Sequence, residues 1–117
     1  MTMLPVGIDQ SDPTALHEQV AAELRRALAA GEARPGERLP PAKDFAAFLG
    51  VNPNTVLRAF HQLREEGLLE FRRGKGITVA GAPERALVLA RAKELVMFAR
   101  SQGVGADELA RLVEQMG

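Results

Sequence analysis

The side chains best suited to recognition chemistry cluster in the middle third of this chain. Asn54, Thr55 and Arg58 lie within about one helical turn of each other and offer amide, hydroxyl and guanidinium groups. That is the set that hydrogen-bonds to base edges or grips nearby phosphates. Downstream, Arg72, Arg73, Gly74, Lys75 and Gly76 form a basic turn. Its cations attract phosphate, and its glycines let backbone N–H groups approach an anion closely. The net charge is zero over 117 residues, but residues 34–76 hold eight basic and five acidic side chains, whereas residues 1–33 hold two and five. A local excess of this size fits a solvated surface as well as a phosphate site. Other chemistries have little to rest on. There is no cysteine, the two histidines His17 and His61 lie in separate segments, and no glycine-rich phosphate loop or paired acid and base motif occurs. An enzyme, a metal centre or a cofactor is therefore not expected.

The elements that must position these groups follow from periodicity. Leu16, Val20, Leu24 and Leu28 recur every four residues with Ala21 and Ala27 beside them, which predicts an amphipathic helix ending at Gly31. Glu18, Glu23, Arg25 and Arg26 are read as largely outside its apolar stripe, and Thr14, or Asp12 before Pro13, as its cap. After the Pro35-Gly36 turn, Arg38 to Pro41 run extended. A short helix is predicted over residues 42–49, with Phe45, Ala46 and Leu49 on one face and Gly50 as its stop. Asn52 then serves as N-cap and Pro53 as first residue of a third helix that buries Val56, Ala59, Phe60 and Leu63 and ends at Gly67. Spacing alone allows either a helical hairpin or a helix-turn-helix. The next segment decides between them: residues 68–79 read as a hairpin turning at Arg73-Gly74-Lys75-Gly76, so the order is helix, helix, helix, basic hairpin. The expected fold is mostly α with a small β hairpin, a winged helix-turn-helix over residues 1–80. Residues 81–117 add two amphipathic helices too small to bury their own apolar faces, so they must pack on the winged helix or, as favoured here, on another subunit.

Four pieces in order, Pro35-Gly36-Glu37-Arg38-Leu39-Pro40, Leu49-Gly50-Val51-Asn52-Pro53-Asn54-Thr55-Val56, Glu66-Gly67-Leu68 and Arg73-Gly74-Lys75-Gly76, together resemble the DNA-binding domain of the GntR family. The Asn-Pro-Asn-Thr start and the short tail resemble its YtrA-type subgroup. The resemblance implies a bacterial repressor that dimerises through its C-terminal helices. Two positions depart from the family pattern. Pro41 and Lys43 stand where the family commonly has Ser and Arg, which removes a side-chain cap and the bidentate fork that Arg offers a phosphate.

The third helix turns Asn54, Arg58, His61 and Glu65 to one side, with Thr55 and Gln62 adjacent. Residues near its start reach bases most easily, so Asn54, Thr55 and Arg58 are assigned to base or nearby phosphate contacts. Asn52 either caps the helix alone or also meets a phosphate. Glu65 and Glu66 would repel DNA, so contact should end near Gln62. The wing cations can be solvated edge charges, and the family resemblance turns the reading to DNA for Arg72, Arg73, Gly74, Lys75 and Gly76. Arg38 and Lys43 are assigned to phosphate beside the second helix. Leu87, Val88, Leu95, Val96, Phe98, Leu109, Leu112 and Met116 are assigned to a homodimer interface. The expected partners are double-stranded DNA and a second copy of the chain. A small-molecule effector would have room only at the dimer interface or between tail and wing. No membrane span or N-terminal signal is read, so a cytoplasmic location is expected. The alternative function is a winged helix that binds protein without specific DNA binding.

Overall fold

The computed structural model describes residues 15–117. The expected caps Asp12 and Thr14 of the first helix lie outside these residues. The elements are α1 (Leu16–Ala29), α2 (Ala42–Leu49), α3 (Pro53–Glu65), β1 (Leu69–Arg72), β2 (Gly76–Val79), α4 (Pro83–Ser101) and α5 (Ala106–Met116). α1 packs on α3 and α4, α2 on α3, and β1 on α3. The core between them draws Val20, Leu24 and Leu28 from α1, Phe45 from α2, and Val56, Phe60 and Leu63 from α3. Phe45 and Phe60 meet edge to face at 5.9 Å, a favoured aromatic geometry that fixes the crossing of α2 and α3.

Local chemistry explains the boundaries. Gly50 closes α2 in the left-handed conformation at φ 72°, and its N–H and that of Val51 return to the Ala46 carbonyl at 2.8 and 3.1 Å. A side chain there would be strained, which is why the turn between α2 and α3 can be so short. Pro41 stands at the N-cap of α2, one place earlier than a first-turn residue, and makes no side-chain cap bond. The hairpin pairs Leu69 with Val79, Glu70 with Thr78, Phe71 with Ile77 and Arg72 with Gly76. It closes through the Lys75 N–H on the Arg72 carbonyl at 3.0 Å.

Two sequence expectations change. Arg25, read as lying outside the apolar stripe, is 1 % exposed, because it follows Ala21 by four residues and precedes Leu28 by three, so its stem lies in the stripe. Its guanidinium donates to both carboxylate oxygens of Glu66 at 2.7 and 2.6 Å. The second change concerns the extended segment at Arg38. It bridges to Thr78 on the free side of β2, with the Leu39 N–H on the Ile77 carbonyl at 2.8 Å and the Val79 N–H on the Glu37 carbonyl at 2.9 Å. β2 is thereby paired on both sides, by β1 and by this segment.

α4 is apolar on two faces. Ala86 is buried and Leu89 packs against the core, which docks the helix along α1 of its own chain. Val88, Leu95 and Phe98 recur on the opposite face and stay exposed. Ala99 is buried beneath the turn to α5, where the Val104 N–H reaches its carbonyl at 2.8 Å.

Candidate nucleic-acid interface

Asn52 fixes the start of α3. Its side-chain oxygen accepts from the Asn54 N–H at 2.8 Å, satisfying one orphan donor of the first turn, while Pro53 needs no partner. The cap sets the rotation of the helix, and with it the direction of the residues that follow. Asn54 and Arg58 are exposed on the side away from Val56, Ala59, Phe60 and Leu63, and Thr55 is half-buried at its edge. Neither Asn54 nor Arg58 has a side-chain hydrogen bond or ion pair to a described residue, so both are free to meet a ligand.

The wing stands beside that same side of α3. His61, one turn beyond Arg58, meets the Phe71 ring of β1 at 5.0 Å, and the Arg64 guanidinium lies 4.7 Å from the same ring centre. The second geometry is a cation–π contact. Together they carry the polar face of α3 directly into the hairpin. Arg73 and Lys75 at the tip are exposed and carry no ion pair among the described residues, whereas Arg72 is engaged by Glu70 at 3.2 Å. Gly74 sits in the tip turn at φ 78°, and Gly76 follows at φ 73°.

Arg38 moves to a different part of the surface from the one expected. A Cβ on Gly76 would lie 3.2 Å from the Arg38 Nε, so the guanidinium rests on the glycine backbone at the turn end of the wing. Its charge therefore adds to the wing instead of to the side of α2. Lys43 is exposed on α2. Glu65 is exposed on α3, but Glu66 is turned inward on Arg25 and does not face a ligand of this surface.

The residues assigned to the tail are placed as follows. Leu87, Val88, Leu95, Phe98, Leu112 and Met116 are exposed, the last at 85 %, while Val96 and Leu109 are half-buried. Val113 of α5 is also exposed, and exposed Met97, which was not singled out from the sequence, lines the groove between α1 and α4. α1 and α4 enclose a groove of about 460 Å³ with an alanine-rich floor and a charged rim. On that rim Arg26 is held above its ordinary pKa by hydrogen bonds to Glu32 and then Glu23, so it stays a cation throughout the working range. Among the described residues there is no cluster suited to a metal ion and no helix long and apolar enough to cross a membrane.

Three helices, a short turn ahead of a free polar helix face, and a basic hairpin beside that face define a winged helix-turn-helix, the architecture of a DNA-binding regulator. The model of the family described as "Bacterial regulatory proteins, gntR family" matches residues 16–79, more than half of the chain, and the chain belongs to that family. It is a DNA-binding transcription regulator and not an enzyme. The HTH-type transcriptional repressor YtrA of Bacillus subtilis is 27% identical over 118 residues, covering 95% of this chain and 91% of that protein. An HTH-type transcriptional regulator of Mycobacterium tuberculosis is 35% identical over 97 residues, covering 82% of this chain and 80% of its own length. Among solved structures, YtrA from Sulfolobus acidocaldarius, a GntR-family transcription factor, superposes with a TM-score of 0.62 at 27% identity, over 79% of this chain and 97% of that one. Of two much longer curated relatives the chain spans only 17% and 16%.

Proposed function

We propose that the chain is a cytoplasmic transcription repressor that binds a pseudo-palindromic operator as a homodimer, one winged helix per half-site. Residues 1–80 are the DNA-binding domain and residues 81–117 the dimerisation tail. Asn54, Thr55 and Arg58 read bases or the phosphates next to them. Arg38, Lys43, Arg73 and Lys75 grip phosphate, the wing backbone at Gly74 and Gly76 approaches it, and Arg72 joins them when it leaves Glu70. Asn52 caps α3 and leaves its amide nitrogen for a phosphate.

The observation that carries the reading is the junction of the free α3 face with the basic wing through His61 and Phe71. One winged helix offers few base contacts, so useful affinity calls for two. The tail supplies a surface for pairing: Val88 and Phe98 are 66 and 63 % exposed on a face that α1 leaves uncovered. The repressor sense rests on the likeness to YtrA of Bacillus subtilis, whose name describes a repressor. Selection of bound duplexes from a random pool tests the whole. An inverted repeat with fixed half-site spacing is expected; enrichment of no sequence, or of a single asymmetric site, contradicts it.

A further inference from the structure

Glu66 joins three helices at one residue. It ends α3, its carboxylate takes both bonds from the buried Arg25 of α1, and its carbonyl oxygen accepts from Arg85 of α4 through Nε and Nη2 at 3.2 and 3.0 Å. That carbonyl is one of the orphan acceptors at the negative end of a helix, where a cation is favoured. The guanidinium lies over Gly67, whose Cβ, if present, would touch it at 3.5 Å. Just beneath, the Ala80 N–H bonds to the Leu68 carbonyl at 2.9 Å, and a Cβ on Gly81 would fall 2.7 Å from Leu68 Cδ2. The end of the recognition helix and the start of the tail are therefore in backbone contact and pinned by one exposed arginine.

We infer that Arg85 is a positioning residue that sets the half-site spacing the dimer accepts, by adding a fixed point at the end of α3 to the packing of α4 along α1 and so fixing the angle of α4 against α3. The inference rests on the dimeric DNA reading above. α4 spans 19 residues, about 28 Å at 1.5 Å per residue, so an angular play of roughly 7° at its root moves its far end by about one base-pair rise. A loose joint lets the two recognition helices settle on neighbouring spacings; a pinned one does not. Arg85 needs no contact with DNA or with the partner to act in this way.

The test measures affinity of the full chain for inverted half-sites at the selected spacing and at one base pair more and fewer, for the wild type, Arg85→Ala and Arg85→Lys. Wild type should prefer one spacing by about tenfold or more, Arg85→Ala should flatten this to about two- to threefold, and Arg85→Lys, with a point charge in place of the fork, should fall between. Sedimentation should find all three dimeric. An unchanged spacing profile in dimeric Arg85→Ala overturns the inference and leaves the DNA reading standing. A monomeric Arg85→Ala overturns it too, by making Arg85 part of the interface. Wild type without DNA binding, or with no spacing preference, overturns the dimeric reading itself.

Discussion

Removing either partner of the Arg25 and Glu66 pair should destabilise the fold, but by unequal amounts. Arg25 is 1 % exposed, whereas the Glu66 side chain keeps 20 % of its surface in water. In Glu66→Ala the buried guanidinium loses both of its hydrogen-bonded acceptors, and a buried charge left without its partner costs about 3 kcal/mol or more. In Arg25→Met the stem is replaced by an apolar chain of similar length, and Glu66 can turn its carboxylate to solvent, so the cost should be only about 1 kcal/mol. The double variant Arg25→Met with Glu66→Leu should recover most of the loss, because the damage comes from the widowed charge and not from absence of the pair. Urea unfolding followed by circular dichroism measures all three, and Glu66→Ala should also melt roughly 10 °C lower. The reasoning is refuted if Glu66→Ala lies within about 0.5 kcal/mol of wild type, or if Arg25→Met is the costlier change.

Further expectations follow from the same geometry. Asn52→Ala removes the N-cap of α3 and should cost about 1 kcal/mol in unfolding experiments, with DNA affinity falling as the first turn frays. Gly81→Ala drives a methyl toward Leu68 and should destabilise by about 1–3 kcal/mol, read in the same way. Val88→Glu with Phe98→Glu should turn the dimer into a monomer in sedimentation while leaving the helical circular dichroism of the protomer unchanged, since neither side chain is part of the core; the melting point should lose its dependence on protein concentration. Asn54→Ala should relax base preference at one position of each half-site while leaving the salt dependence of binding unchanged, as expected for a base contact carrying no charge.

The parts of this structure that the sequence made legible are those governed by near neighbours. Asn52 followed by Pro53 marks the start of α3 because cap and first-turn chemistry span only a few residues, and Gly50 marks the end of α2 for the same reason. The wing was readable from apolar and polar alternation before a glycine-bearing turn and β-branched residues after it. Contacts distant in sequence were not. Arg25 lies at stripe spacing between Ala21 and Leu28, so the signal for its burial was present, but its partner is 41 residues away and no local pattern names it. Arg38 joined the wing through a single bridge to Thr78, too short a pairing to leave an alternating pattern. α4 docks on α1 partly through the small Ala86, which a search for large apolar residues passes over. For the candidate site, the row on α3 and the wing tip emerged from spacing, whereas their junction through His61 and Phe71 required the fold.

The salt dependence of DNA binding tests the central claim most directly. If Arg38, Lys43, Arg58, Arg73 and Lys75 of each protomer all meet phosphate, the logarithm of affinity should fall with the logarithm of salt at a slope approaching about −9 for the dimer. Replacing Arg58 and Arg73 together by alanine should reduce that slope by roughly 3 to 4 and abolish retardation at moderate salt. A double variant that binds with the slope and affinity of wild type, or a wild type whose binding is indifferent to salt, would contradict an interface built from α3 and the wing.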